Sequence, residues 1–222
     1  MINPAPFIDH TLLKADTNER QIRRLCEEAV EYGFASVCIP PVHVELAADL
    51  LYGSGVKVGT VVGFPLGYVS SEVKAYETSE AVARGAEEVD MVIHVASALA
   101  GRFEAVGRDI RKVVKAAGDS TVKVIIECFY LDELAKRKAT EAVVAGGAAY
   151  VKTSTGFAPA GATTQDVKLL AEVADDRIGV KAAGGIRDWN FCRELLQAGA
   201  SRIGASAGIA IVNGWNQEEF DR

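Results

Sequence analysis

The chain is poor in the side chains that bind transition metals: its 222 residues include three histidines and four cysteines. His10, His43 and His94 stand too far apart for a helical metal motif such as His-Glu-x-x-His, so no metal is expected. Cys26, Cys38, Cys128 and Cys192 contain no Cys-x-x-Cys pair, which removes the signal for a zinc knuckle or a redox dithiol. Free thiols in a reducing compartment are expected instead. No uninterrupted apolar run approaches the ~20 residues of a membrane span. A basic excess is missing too. Lys+Arg number 24 against 30 Asp+Glu, and the net charge of −6 argues against a nucleic-acid partner. The opening MINPAPFIDH has neither the basic segment nor the apolar core of a secretory leader, so a cytoplasmic location is expected. Linkers, low-complexity tracts and charge blocks are also lacking.

What is present is a globular composition. Hydrophobic residues make up 49% and charged residues 24%, enough apolar surface to exclude intrinsic disorder. The length suits one domain over 1–222. Short runs rich in β-branched residues alternate with amphipathic stretches rich in Ala, Glu and Arg. Strands are predicted at Phe7–Asp9, Ser36–Ile39, Val56–Val62, Glu88–Val95, Val122–Glu127, Ala149–Thr153, Ile178–Ala183 and Ser201–Gly204. The spacing between them fits a strand, a helix and two short loops. Helix signals fill the gaps. Thr17-Asn18-Glu19 opens a run with Ile22, Leu25, Cys26 and Ala29 at helical spacing, closed by Gly33. Ser70-Ser71 opens a second, and Asp188 opens one that ends at Gly199. This alternation predicts an α/β chain folded as a single (β/α)8 TIM barrel. A doubly wound open sheet is the alternative, but the first strand lacks a Gly-x-Gly-x-x-Gly turn after it.

In such barrels the chemistry sits at the C-terminal ends of the strands. Polar residues expected there are Asp9, Asp90, Glu127, Lys152 and Lys181. Lysines inside short apolar strands are unusual. Lys152 and Lys181 fall on neighbouring strands, ~4.8 Å apart in such a sheet. Burial and a nearby like charge both lower an ammonium pKa, and a neutral amine can condense with a carbonyl. The competing reading is a scaffold network in which each lysine snorkels outward or pairs with Asp9, Asp90 or Glu127. Three glycine loops follow the last strands: Thr153-Ser154-Thr155-Gly156, Ala183-Gly184-Gly185-Ile186-Arg187 and Gly204-Ala205-Ser206-Ala207-Gly208. Glycine lets backbone N–H groups approach an anion, with a helix start beyond each loop, which predicts a phosphate site. Thr155 and Ser206 add hydroxyls and Arg187 adds charge. Cys38 ends the second strand, facing the site or lying in the core, and Gly63-Phe64-Pro65-Leu66-Gly67 shapes a pocket or simply connects strand to helix.

The segments FIDHTLLKADT, GTVVGFPLG, EVDMVI, VKVIIE, YVKTSTGF, VKAAGGIR and RIGASAGIAIV, from Phe7 to Val212, resemble the deoxyribose-phosphate aldolase family. The resemblance implies a (β/α)8 barrel and a class I aldolase that needs no cofactor and no metal. It implies reversible cleavage of the phosphosugar 2-deoxy-D-ribose 5-phosphate to acetaldehyde and D-glyceraldehyde 3-phosphate, by a homodimer. On this basis Lys152 is the Schiff-base nucleophile, Lys181 the cation that depresses its pKa, and Asp90 an acid/base residue with Asp9 in the same proton network. Gly156, Gly184, Gly185, Gly204 and Ser206 surround the phosphate, with Cys38, Thr155 and Arg187 in the pocket. Three features depart from the family pattern. His94 stands where Asn is common, Pro40-Pro41 replaces a single proline, and the tail after Tyr150 has no tyrosine. A sugar-phosphate sensor and a Schiff-base lyase with another donor aldehyde are the competing functions. The first has no use for paired lysines.

Overall fold

The computed structural model describes residues 3–220, so Met1, Ile2, Asp221 and Arg222 of the 1–222 span lie outside the described residues. Eight parallel strands close into a barrel: β1 (Ile8–Thr11), β2 (Ser36–Ile39), β3 (Lys57–Val62), β4 (Glu88–Val92), β5 (Thr121–Ile125), β6 (Tyr150–Lys152), β7 (Gly179–Ala183) and β8 (Arg202–Ala205), with β8 pairing back onto β1. Helices α1 (Glu19–Tyr32), α2 (Val44–Leu51), α3 (Ser71–Ala83), α4 (Val95–Leu99), α5 (Phe103–Ala117), α6 (Glu133–Gly146), α7 (Thr164–Ala174), α8 (Trp189–Gln197) and α9 (Gly208–Phe220) follow the strands. None of the described helices is long and apolar enough to cross a membrane.

Local chemistry sets the boundaries. The Asn18 side chain accepts from the Gln21 backbone N–H and Gln21 answers onto Asn18, a capping box that starts α1. Gly33 ends the helix in the left-handed region at φ 68°. Two strands differ from expectation. Pro4 and Pro6 favour a 3-10 turn over Ala5–Phe7, so β1 starts at Ile8 and runs to Thr11. Asp9 is therefore inside the strand and not at its end. β4 stops at Val92, because the chain turns and His94 caps α4.

Strand periodicity splits the buried residues into two populations. Val89, Met91, Val124, Val151, Val180 and Ile203 join the apolar layer shared with the helices. Their alternate neighbours Asp90, Lys123, Lys152, Lys181 and Arg202 meet inside the barrel.

A separate buried ion pair ties two outer helices together. Lys74 of α3 is fully buried, and its Nζ lies 2.5 Å from Asp109 Oδ2 on α5. The other Asp109 oxygen has no hydrogen-bond partner. Removing one member of such a pair strands a charge, at about 3–5 kcal/mol, whereas an apolar pair of similar volume is nearly neutral. Lys74→Met is thus expected to lower the unfolding free energy measured in urea by that amount, and adding Asp109→Leu should recover most of it. A double variant as weak as the single one would contradict this account.

Candidate active site

The inward side chains of the strands build one continuous ionic cluster. Lys152 and Lys181 are directly paired across β6 and β7, and Lys181 is paired with Arg202 across β7 and β8. Asp90 faces Lys123 across β4 and β5. Asp90 Oδ2 accepts from Lys152 Nζ at 2.7 Å and from Lys181 Nζ at 2.6 Å, while its Oδ1 accepts from Lys123 Nζ at 3.0 Å. Asp9 contacts Lys181 on one oxygen and accepts from Arg202 at 2.6 Å on the other. Lys123 lies 2.6 Å from Glu88, which Arg202 also reaches at 3.1 Å. The long side chains fit because Gly204 leaves space on β8: a Cβ there would sit 3.1 Å from Lys181 Cε.

Four cations (Lys123, Lys152, Lys181, Arg202) thus face three carboxylates (Asp9, Glu88, Asp90). Burial works against charge on all of them, so neighbours decide which stay ionised. For Asp90, burial is outweighed by Lys123, Lys152 and Lys181, which hold it well below the carboxylate range. Asp9 is likewise held low by Lys181, Lys123 and Arg202 against its burial. Lys123 and Lys181 are raised above an ordinary lysine, because carboxylates overcome their burial: Asp90, Asp9 and Glu88 for the first, Asp9 and Asp90 for the second. Lys152 is the exception. Burial and then the Lys181 charge lower its pKa, and its one carboxylate, Asp90, is already shared with Lys123 and Lys181.

Above the cluster a cavity of 440 Å³ opens at the C-terminal ends of the strands. Lys152 lines it, together with Thr155 and Gly156 after β6, Gly184, Gly185 and Arg187 after β7, and Gly204 and Ser206 at and after the end of β8. Gly184 and Gly185 both have left-handed backbone, at φ 91° and 78°, the kind of conformation that turns successive amides toward an anion. At Gly184 a side chain is also excluded, since a Cβ would come within 2.9 Å of the Gly161 Cα. The expected dipole of the following helix is partly spent here: Asp188 caps α8, accepting from the Phe191 N–H at 3.0 Å. The glycine pair is therefore the backbone that faces the cavity after β7, and the helix start beyond β8 belongs to α9 at Gly208.

Several expected residues sit elsewhere. Asp9, Asp90 and Lys181 do not line the cavity; they lie beneath Lys152, because they occupy strand interiors. Cys38 is also outside the cavity lining. Its thiol is buried, which, with Asp90 nearby, pushes its pKa up and keeps it neutral. Glu127 forms no ion pair with a lysine among the described residues, although the Lys152 charge favours its ionised form. It lies beyond β5 with φ 54° and accepts from the Thr155 hydroxyl at 2.5 Å and the Thr155 N–H at 3.3 Å, so it shapes the loop after β6. Burial raises its pKa against those bonds. His94 takes the role an Asn would play: its Nδ1 accepts from the Ser97 N–H at 3.2 Å and caps α4. Pro65 and Leu66 of the loop after β3 line a smaller hollow of 330 Å³ beside the main cavity.

Four residues escaped the sequence reading. Lys123, Glu88 and Arg202 belong to the ionic cluster, and Lys14 lines the cavity with no ion-pair partner among the described residues. Lys123 carries the signal that marked Lys152, a charge set in an apolar strand, whereas Glu88 and Arg202 open their strands. Among the described residues no three His, Cys, Asp or Glu side chains converge as metal ligands.

Comparison with known proteins places these features in context. A family model described as DeoC/LacD family aldolase matches residues 5–214. A deoxyribose-phosphate aldolase of Syntrophotalea carbinolica is 54% identical, over 98% of both chains. That of Halalkalibacterium halodurans is 55% identical over 96% of both. Among solved structures, a deoxyribose phosphate aldolase from Aeropyrum pernix, described as a unique tetramer, superposes with a TM-score of 0.90 at 35% identity. It covers 96% of this chain and 91% of its own.

Proposed function

Because the chain belongs to the DeoC/LacD family of aldolases, we propose that its mouth cavity takes 2-deoxy-D-ribose 5-phosphate and that Lys152 cleaves it reversibly, through a Schiff base, to acetaldehyde and D-glyceraldehyde 3-phosphate. One observation carries the assignment of the nucleophile. Of the three lysines in the ionic cluster, Lys152 is the one that lines the cavity and the one whose pKa is lowered.

The phosphate lies against Gly156, Gly184, Gly185, Gly204 and Ser206, with Thr155 and Arg187 contributing a hydroxyl and a charge. This orients the open-chain aldehyde toward Lys152. The neutral amine attacks C1, and the resulting carbinolamine loses water to give an iminium. Asp90, bonded to both Lys152 and Lys181, relays the protons this exchange needs, and Asp9 joins through Lys181. Loss of the C3 hydroxyl proton then breaks the C2–C3 bond. Its electron pair moves onto C2 and into the iminium, giving an enamine, and glyceraldehyde 3-phosphate departs. Protonation of the enamine at C2 and hydrolysis of the new iminium release acetaldehyde and regenerate the amine. No step calls for a metal or cofactor. We place the enzyme in the cytoplasm and read it as a homodimer.

Trapping tests the reading. Reduction with borohydride in the presence of acetaldehyde should leave a two-carbon adduct, and peptide mass spectrometry should find it on Lys152. An adduct on Lys181 would exchange the roles of the two lysines. A folded sample with no adduct would remove the covalent mechanism.

A further inference from the structure

Arg202 lies at the opposite end of the barrel from the cavity. It is the first residue of β8, its side chain is only 15% exposed, and it makes no direct contact with Lys152. It faces Asp9 on β1 at 2.6 Å and Glu88 on β4 at 3.1 Å, and its guanidinium sits 5.5 Å from the Tyr150 ring on β6. Those two carboxylates also serve Lys123 on β5 and, for Asp9, Lys181 on β7.

We propose that Arg202 is a positioning residue for Lys152, acting through Asp9 and Glu88: by occupying both carboxylates at the foot of the barrel it leaves the buried cluster one cation in excess, and Lys152 is the member that gives up its proton. The proposal rests on Lys152 being the nucleophile. Its logic is a count of charges. With Arg202, four cations share three carboxylates. Without it, three lysines match three carboxylates, and all three ammonium groups can be held. An uncompensated buried charge is costly, so the excess is removed by deprotonation. Lys152 is singled out by its contacts. Lys123 reaches Glu88, Asp90 and Asp9, and Lys181 reaches Asp9 and Asp90, but Lys152 reaches Asp90 alone. Lys152 also opens on the cavity, where water can take the proton. Two other groups face it without forming an ion pair with it. Cys38 on β2 is held as a thiol, and Glu127 beyond β5 feels the Lys152 charge but spends its oxygens on Thr155, so it is not a member of the paired cluster.

The test is the pH dependence of adduct formation at Lys152, with acetaldehyde and a mild hydride reductant, in the full-length protein. Condensation needs the free amine, so below the acid limb each unit of pKa is about tenfold in rate. Arg202→Met should move the acid limb up by a unit or more, slowing trapping about tenfold or more on its acid side. Arg202→Lys, which restores the cation, should return the limb most of the way. Glu88→Gln removes a carboxylate, enlarges the excess and should move the limb down. A purely structural role would change yield or stability and leave the limb in place. A folded Arg202→Met with an unmoved limb overturns the proposal. Should that variant not fold, Glu88→Gln decides: a limb moved down supports the proposal, and a limb unmoved or moved up overturns it. If the unaltered protein forms no adduct on Lys152, it is the aldolase mechanism that fails. An adduct with limbs indifferent to Arg202 and Glu88 rejects the charge count alone.

Discussion

Lys152→Met is expected to abolish turnover of deoxyribose 5-phosphate while leaving the fold intact. The fall in kcat should be about 10⁵-fold or more, comparable to removal of a covalent nucleophile in other enzymes. General acid–base assistance alone is worth ~10²–10⁴-fold, so a smaller loss would mean that the covalent route is not the main one. The side chain is chosen for its charge. Burial and the Lys181 charge lower the Lys152 pKa, and a methionine in its place leaves three cations facing three carboxylates in nearly the same volume. Asp90 keeps Lys123 and Lys181 as partners. The unfolding free energy should therefore fall by less than the ~3–5 kcal/mol of a broken buried ion pair. Lys152→Met with near-native turnover would sink the assignment. A large stability loss with inactivity would mean that Lys152 is a structural cation. A steady-state assay beside a denaturation curve separates these outcomes.

The site was legible where chemistry interrupts a strand pattern, and hidden where position in the strand masks it. Lys152 and Lys181 stood out because each follows a valine in a short apolar run that ends at a glycine loop. Lys123 has the same setting, in VKVII, but it falls second in the expected strand Val122–Glu127, whose C-terminal end is marked by Glu127 instead. Arg202 follows Gly199-Ala200-Ser201, where a charge reads as a solvated strand start, yet the closed barrel folds that start inward. Phe7-Ile8-Asp9 looks extended in the sequence and predicts a strand that ends at Asp9. The prolines on either side of Ala5 make the preceding residues a 3-10 turn and push the strand forward. The glycine loops predict an anion site from their composition and their place after the last strands, and residues of all three line one cavity. The capping of α8 by Asp188 was legible as a helix start but not as a limit on its dipole, because that requires knowing where the side chain points. The barrel itself was the easiest inference, since repetition of the βα unit survives errors of one or two residues at every boundary.

Lys181→Leu should produce the second-largest effect, and its sign distinguishes a pKa-setting cation from a packing residue. In the native cluster the Lys181 ammonium is stabilised by Asp9 and Asp90 against its burial, so it stays charged and repels a proton on Lys152. Removing it leaves Lys123, Lys152 and Arg202 facing Asp9, Glu88 and Asp90. Balance then favours a protonated Lys152, paired with an Asp90 that has lost one of its three donors. The folded-state pKa of Lys152 rises, and the neutral amine appears only at higher pH. The acid limb of kcat/KM should move up. Activity at pH 7 should fall by about 10²–10⁴-fold, the size of a lost acid–base or electrostatic contributor. Raising the pH should restore part of it, at about tenfold per unit until the limb is passed. Recovery will stay incomplete, because Lys181 also feeds the Asp90 proton path. A profile with the native acid limb and uniformly lower activity would refute the electrostatic role, since a loss of packing alone scales the rate without moving the titration of Lys152.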